Sequence, residues 1–371
     1  VEDMQQSMFN NINKIPVRTY RWLQVNDITL KDVDVPEIKP YNKDYLPSSP
    51  TSDITIQSLV NNVKFINTNK EYQYGVGESL SSMAETDNNC GMVIQSSKGV
   101  QISEPIVAEF KADEDNEAII DRNIIIAEEN SSFTVILQYK SENDISAFHN
   151  GVTKIYAKPG SKVNVIKIQT LNDNSNHFDA SLAVVEGNAE VNVVSIELGG
   201  KNSITSSHSY LVGDNSLAHA DTMYFGSGKR YIDMNYVMSH IGRRAKGNIL
   251  AKGVLLDECE KIFRGTIDFK KGSVRSKGRE EEYAMLLSPK AKSDAVPLLL
   301  CDEDDVEGEH AASAGRIDES KLFYLMSRGF SEKEAKRIFI EASFAPILDK
   351  ISVEDLRESI KLDIKRRLEN E

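Results

Sequence analysis

The chain has 371 residues, 40% of them hydrophobic, and a formal net charge of −13. That length holds one large domain with appendages or two to three domains, and the acidic field argues against a nucleic-acid partner. Its three cysteines, Cys90, Cys259 and Cys301, form no C-x-x-C pair, which speaks against a disulfide framework or a structural zinc site and for reduced thiols in a cytoplasmic protein.

The start, Val1 to Asn10, is polar and has no apolar signal region, and Val1 in place of methionine reads as a trimmed or re-engineered start. Residues 1–70 hold scattered prolines (Pro16, Pro36, Pro40, Pro47, Pro50) and predict a short amphipathic helix followed by an extended segment. Residues 71–316 read as short strands. Within them a small polar turn repeatedly opens an alternating strand: Asn130-Ser131-Ser132-Phe133, Gly160-Ser161-Lys162-Val163, Asn188-Ala189-Glu190-Val191 and Asn215-Ser216-Leu217. The first inward positions are taken as Phe133, Val163, Val191 and Leu217, spaced 30, 28 and 26 residues apart. A second strand precedes each turn, as in Ile124-Ile125-Ile126 and Lys154-Ile155-Tyr156. Strand, polar turn and strand at such a period is a solenoid signature. A β-sandwich with hairpin turns is the other architecture able to hold these strands; the near-regular period favours the solenoid. The apolar run Val296 to Cys301 is much too short to span a bilayer, and no membrane partner is expected.

Residues 317–371 read as helices. Asp318 caps one that carries Leu322, Phe323, Leu325 and Met326 and stops at Gly329. Ser331 and Glu334 form a capping box before Ala335, Ile338, Phe339 and Ala342, and Pro346 is expected to interrupt that helix. Ser352 and Asp355 resemble a second box ahead of Leu356, Ile360 and Ile364. Helices this short need their apolar faces packed together, on the solenoid end, or on another protein.

At the junction of strands and helices the sequence resembles a known family. Gly308 through Asp318 (GEHAASAGRID) leads into Leu322 through Gly329 (LFYLMSRG), and this is similar to the SufB/SufD family, in which a histidine motif precedes an "LFYL-x-SRG" helix. Leu286 to Ala291, Asp304 to Val306, His240 to Gly253 and the segment Pro16 to Leu23 fit the same family, the last resembling SufD. The resemblance covers most of the chain, is strong over about 236–345, and lies closest to SufD. It implies a right-handed parallel β-helix flanked by an N-terminal helical and extended region (1–70) and a C-terminal helical domain (317–371) around a core at 71–316. It further implies a scaffold subunit of SUF iron–sulfur cluster assembly, not an enzyme. Its implied partners are a SufB-like subunit or a second copy, a SufC-type ABC ATPase on the C-terminal helices, and indirectly a cysteine desulfurase. A transient cluster would form at the subunit interface; nothing in the sequence supports the flavin that such a complex could hold.

Two departures from the family pattern matter. The cysteine that SufB proteins carry before the "LL" run is replaced by Glu282 or Tyr283. The cysteine that many SufD proteins carry two residues before the motif histidine is Gly308, while Glu309-His310 resembles SufB.

His310 is the leading site residue: imidazole suits ferrous iron, and the acidic run Asp302 to Asp305 favours a dication. Glu309 is the second candidate. The bland alternative is a solvated acidic turn with a histidine packed at the solenoid end. Phe339, Phe344, Ile347 and Leu348 are the candidate ATPase contacts. Cys301, after three leucines, reads as a buried core thiol; Cys259 has acidic neighbours that lower its reactivity; Cys90 matches no motif. Gly242 to Gly247, with Lys270, Lys271, Arg275, Lys277 and Arg279, suggests an anion site or, more simply, solvated surface. No P-loop, G-x-S-x-G or H-E-x-x-H occurs. The competing class is a β-helix polysaccharide lyase or glycosidase. It would need paired acids on one solenoid face and usually a secretion signal, whereas the acids here cluster at turns.

Overall fold

Left-handed corner residues pace the middle of the chain. Gly99, Asn130, Gly160, Asn188, Asn215, Arg244 and Arg275 all have φ between 56° and 73° and recur every 27 to 31 residues. Asparagine and glycine adopt that conformation at least cost, which is why the polar turns were visible in the sequence. The computed structural model describes residues 6–19, 21–60 and 72–369. The polar start at residues 1–5, with part of the expected first helix, Tyr20 of the Pro16 to Leu23 segment, and residues 61–71 lie outside the described residues.

The corners separate two sheets. One contains β1 (Ile54–Ser58), β2 (Met92–Ser96), β4 (Ala118–Ala127), β6 (Phe148–Ala157), β8 (Asn176–Val185), β10 (Asn202–Leu211), β12 (Tyr231–His240), β14 (Glu260–Phe269) and β16 (Lys292–Cys301). The other contains β3 (Ile106–Ala112), β5 (Ser132–Ser141), β7 (Lys162–Thr170), β9 (Glu190–Glu197), β11 (Leu217–Gly226), β13 (Lys246–Leu255), β15 (Lys277–Leu286) and β17 (Glu307–Gly315). From β2 onward strands alternate between the sheets in chain order, and every pairing from β2 to β17 is parallel and in register. Only β1 joins antiparallel, on β2. A parallel β-solenoid is the result, and the hairpin-linked sandwich is excluded.

In-register pairing stacks like on like. Phe133, Val163 and Val191 form one buried inner row. Each buried aliphatic of this kind contributes about 1.5–3 kcal/mol. The fourth member is Ala218, not Leu217: Val191 pairs with Ala218, whereas Leu217 pairs with the outward Glu190 and is half-buried. Counting three residues on from each left-handed corner gives the inner position, and counting to the first aliphatic residue does not.

Both flanks of the solenoid are covered. The N-terminal segment and α1 (Glu78–Thr86) lay Phe9, Ile12, Ile28 and Leu80 on the outer face of the first sheet, against Phe148 and Phe178. Arg21–Leu23 is a single 3-10 turn, and residues 24–50 are irregular, without helix or strand, and bridge to Ile12 through Ile28. The C-terminal helices are α2 (Glu319–Ser327), α3 (Glu332–Leu348) and α4 (Glu354–Glu369). Ile340, Phe344, Ile347, Ile360 and Ile364 cluster with Ile166, Val194 and Met223 on the outer face of the second sheet. The helices therefore rest on the flank, not on the solenoid end.

Asp318 caps α2, its side chain accepting from the Ser320 and Lys321 backbone, and the Ser331–Glu334 box is complete. Pro346 does not interrupt α3, which runs on to Leu348. So near the C-terminus its missing N–H costs only one bond, and only two helical residues follow it. The helix α4 opens at Glu354, one residue later than a box on Ser352 would place it.

Candidate functional site

The last coil is β16 with β17, and among the described residues no further strand stacks on it. Both sheets end there, so one edge of each strand has no backbone partner among the described residues. Every residue of β17 is exposed.

Strand alternation splits the two motif residues. Glu309 points outward, 3.8 Å from Arg279 Nε on β15, in a row with the Lys277–Glu307 pair at 2.7 Å. Gly308 faces the lumen, where an added Cβ would meet Leu299 Cδ1 at 2.8 Å and Phe269 Cε2 at 3.1 Å. His310, two residues on, shares that inner face and is exposed because no coil follows. His310 and Glu309 therefore lie on opposite faces of this strand.

Beneath His310, on the inner face of β15, are Glu280 and Glu282. The position where a cysteine was sought holds Glu282, which is buried and accepts a hydrogen bond from the Tyr224 hydroxyl at 3.0 Å and an ion pair from Lys261. Lys261 also donates to the Asp294 carbonyl at 3.0 Å. Burial raises Glu282 and lowers Lys261, and their mutual attraction opposes both shifts. Glu280 has no such help: burial, then the charge of Glu282, pushes its carboxyl up to about 8.

The cysteines differ from expectation. Cys301 is exposed, its Sγ 3.1 Å from the Glu303 carbonyl, because β16 belongs to the uncovered coil and a leucine run there is not a core strand. Cys90 is fully buried and its thiol pushed upward by desolvation. Cys259 is pushed up to about 12 by burial first, its acidic neighbours adding less.

The candidate docking residues are mostly spent within the chain. Phe344, Ile347 and Leu348 are buried at 0%, 0% and 2% exposure, and Phe339 is half-buried. What the helices leave open is α2 and the turn after it, with Phe323 71%, Tyr324 56%, Met326 41% and Phe330 42% exposed. The basic stretch is surface: Arg244 lies 3.7 Å from Asp214, Lys270 2.8 Å from Asp268 and Lys271 3.7 Å from Glu303.

A polar chain inside the solenoid escaped the sequence reading. His149 Nδ1 lies 2.7 Å from His177 Nδ1, and His149 Nε2 lies 2.6 Å from Asp121 Oδ1. The Tyr139 hydroxyl donates to Asp121 at 3.0 Å, and Lys167 donates to both oxygens of Asp179 at 2.7 and 2.8 Å. Burial drives His149 down to about 3 and raises Asp121 to about 6 and Glu197 to about 7. His149 and His177 are register partners one repeat apart, a recurrence the sequence does carry. The chain is sealed from solvent and presents no reactive face. Among the described residues no group of three His, Cys, Asp or Glu side chains is placed to hold a metal ion, and no helix is long and apolar enough to cross a membrane.

Residues 110–343 match the family model described as SUF system FeS cluster assembly, SufBD core domain. The chain belongs to the SufBD family. The match takes in the solenoid from β3 onward, the open end with His310, and most of α3. The iron-sulfur cluster assembly protein SufD of Bacillus subtilis (strain 168) is 28% identical over 282 residues, 76% of this chain and 64% of that one. An iron-sulfur cluster assembly SufBD family protein of Pyrococcus horikoshii is 29% identical over 275 residues, 74% and 61% of the two chains. One of Mycobacterium leprae is 26% identical over 261 residues, 69% and 30%. The match thus spans less than two thirds of the length of each of these SufBD relatives.

Proposed function

We propose that this SufBD chain is a SufD-like scaffold subunit of iron–sulfur cluster assembly, working by presenting surfaces and ligands and not by catalysis. The observation that carries this reading is His310, exposed on the inner face of an uncapped last coil whose two strands end in open edges. Open parallel edges suit edge-to-edge pairing with another solenoid. The partner is a SufB-like subunit, or a second copy of this chain, and the pairing brings His310 to the interface. There its neutral imidazole ligates the nascent cluster, which is substrate and cargo and not a resident group. A SufC-type ABC ATPase docks on the C-terminal helices through the exposed aromatic face of α2. Sulfur arrives from a cysteine desulfurase by way of the partner, since this chain has Glu282 where an acceptor cysteine would stand.

Anaerobic reconstitution, with iron and sulfide counted, tests the reading. The chain alone should hold little cluster, and the assembled complex with SufB and SufC should hold more. His310→Ala should lower cluster formation in the complex without lowering the melting temperature much. Cluster assembly by His310→Ala at the wild-type rate would make the residue structural and defeat the site assignment.

A further inference from the structure

Glu280 is a fully buried carboxyl, and neither of its oxygens has a hydrogen-bond partner. Its side chain reaches across the lumen to β14, where an added Cβ on Gly265 would meet Glu280 Cδ at 2.4 Å. That space is open to Glu280 only because residue 265 is glycine. Its neighbour Glu282 is satisfied by Lys261 and Tyr224 and offers Glu280 only repulsion. A buried, unpartnered carboxyl is relieved by a proton or by a cation. The register partner of Glu280 on the final strand is His310. The two residues lie on the inner face of neighbouring strands whose backbones run about 4.8 Å apart, and His310 is exposed where the lumen opens.

We propose that Glu280 is the carboxylate that joins His310 in binding a divalent cation of the ferrous type at the solenoid mouth, the remaining coordination positions falling to water or a partner subunit. This rests on the reading of His310 as a cluster ligand and names the second protein group beside it. One carboxylate oxygen and one imidazole nitrogen suit ferrous iron. Glu309 is excluded from the role by its outward position against Arg279.

The test uses the full chain under anaerobic conditions with cobalt(II) as the probe, followed by absorption. Loss of even an outer-shell partner lowers metal affinity about 10–100-fold, so Glu280→Gln and His310→Ala should each weaken binding at least that much. Glu281→Gln, an outward neighbour, should leave it unchanged. Circular dichroism checks the fold of each variant. Wild-type cobalt binding by Glu280→Gln, with binding lost in His310→Ala, would overturn this inference and leave the reading of His310 standing. Wild-type binding by His310→Ala, or no binding by the unaltered chain, would overturn both the shared site and the role given to His310.

Discussion

Glu280 and Glu282 share one strand face, two residues apart, and differ in what meets them. Lys261 and Tyr224 hold Glu282, so Lys261→Met would leave a buried charge without its counterion. The expected cost is about 3–5 kcal/mol in urea unfolding, and Lys261→Met with Glu282→Leu should recover much of it. Glu280 makes the opposite case. Its carboxyl is raised from 4.5 to about 8, so the folded chain holds that proton more tightly than the unfolded one. Its contribution to stability is complete below about pH 4.5 and is lost as the pH rises toward 8. Glu280→Gln should therefore change stability little at pH 5 and raise it by about 2–4 kcal/mol at pH 8; an increment that stays flat across that range would refute the raised value. The motif residues themselves were legible in the sequence, but their faces were not. Whether Glu309 or His310 points inward depends on strand parity counted from a corner, and no left-handed residue opens β17; its parity follows only from its register with β15, whose own corner is the unexpected Arg275.

The elements divide into those that serve the chain and those left over. Phe344 belongs to the cluster beneath α3, so Phe344→Ala should cost about 3–5 kcal/mol and would impair any partner binding by loosening the helices. Phe323 and Tyr324 on α2 have no such duty. Replacing both with alanine should leave the melting temperature within a degree or two of the parent while weakening capture of the ATPase; equal capture would place that partner elsewhere. Ser331→Ala removes one half of a capping box, with an expected loss of about 1 kcal/mol in thermal unfolding of the helical region. The solenoid strands were readable because polar corners recur and alternation follows them. The error at Leu217 arose where an outward leucine preceded the inward Ala218. The N-terminal segment was readable only as irregular, since its burial comes from contacts with strands far along the chain, such as Asn13 on Thr205 at 3.0 Å.

At the scale of the whole molecule, helices and the N-terminal segment cover the two flanks, and no described residue stacks on the β16–β17 end. Lysines at Ala312 and Ala314 would place charge on the inner row of that end without disturbing a packed core. We expect the double variant to melt as the parent does and to elute alone in size-exclusion runs with a SufB-like subunit; co-elution would move the interface off this end. The alternation of strands between two sheets also sets a rule for how such a chain can change length. Removing one strand with its corner would transfer every later strand to the opposite sheet and carry His310 to the wrong wall of the lumen. Removing two consecutive strands returns each later strand to its own wall, one step of about 4.8 Å nearer the start. Insertions and deletions along the rod are thus counted in pairs of strands, and the histidine at the mouth keeps its wall only when the count is even.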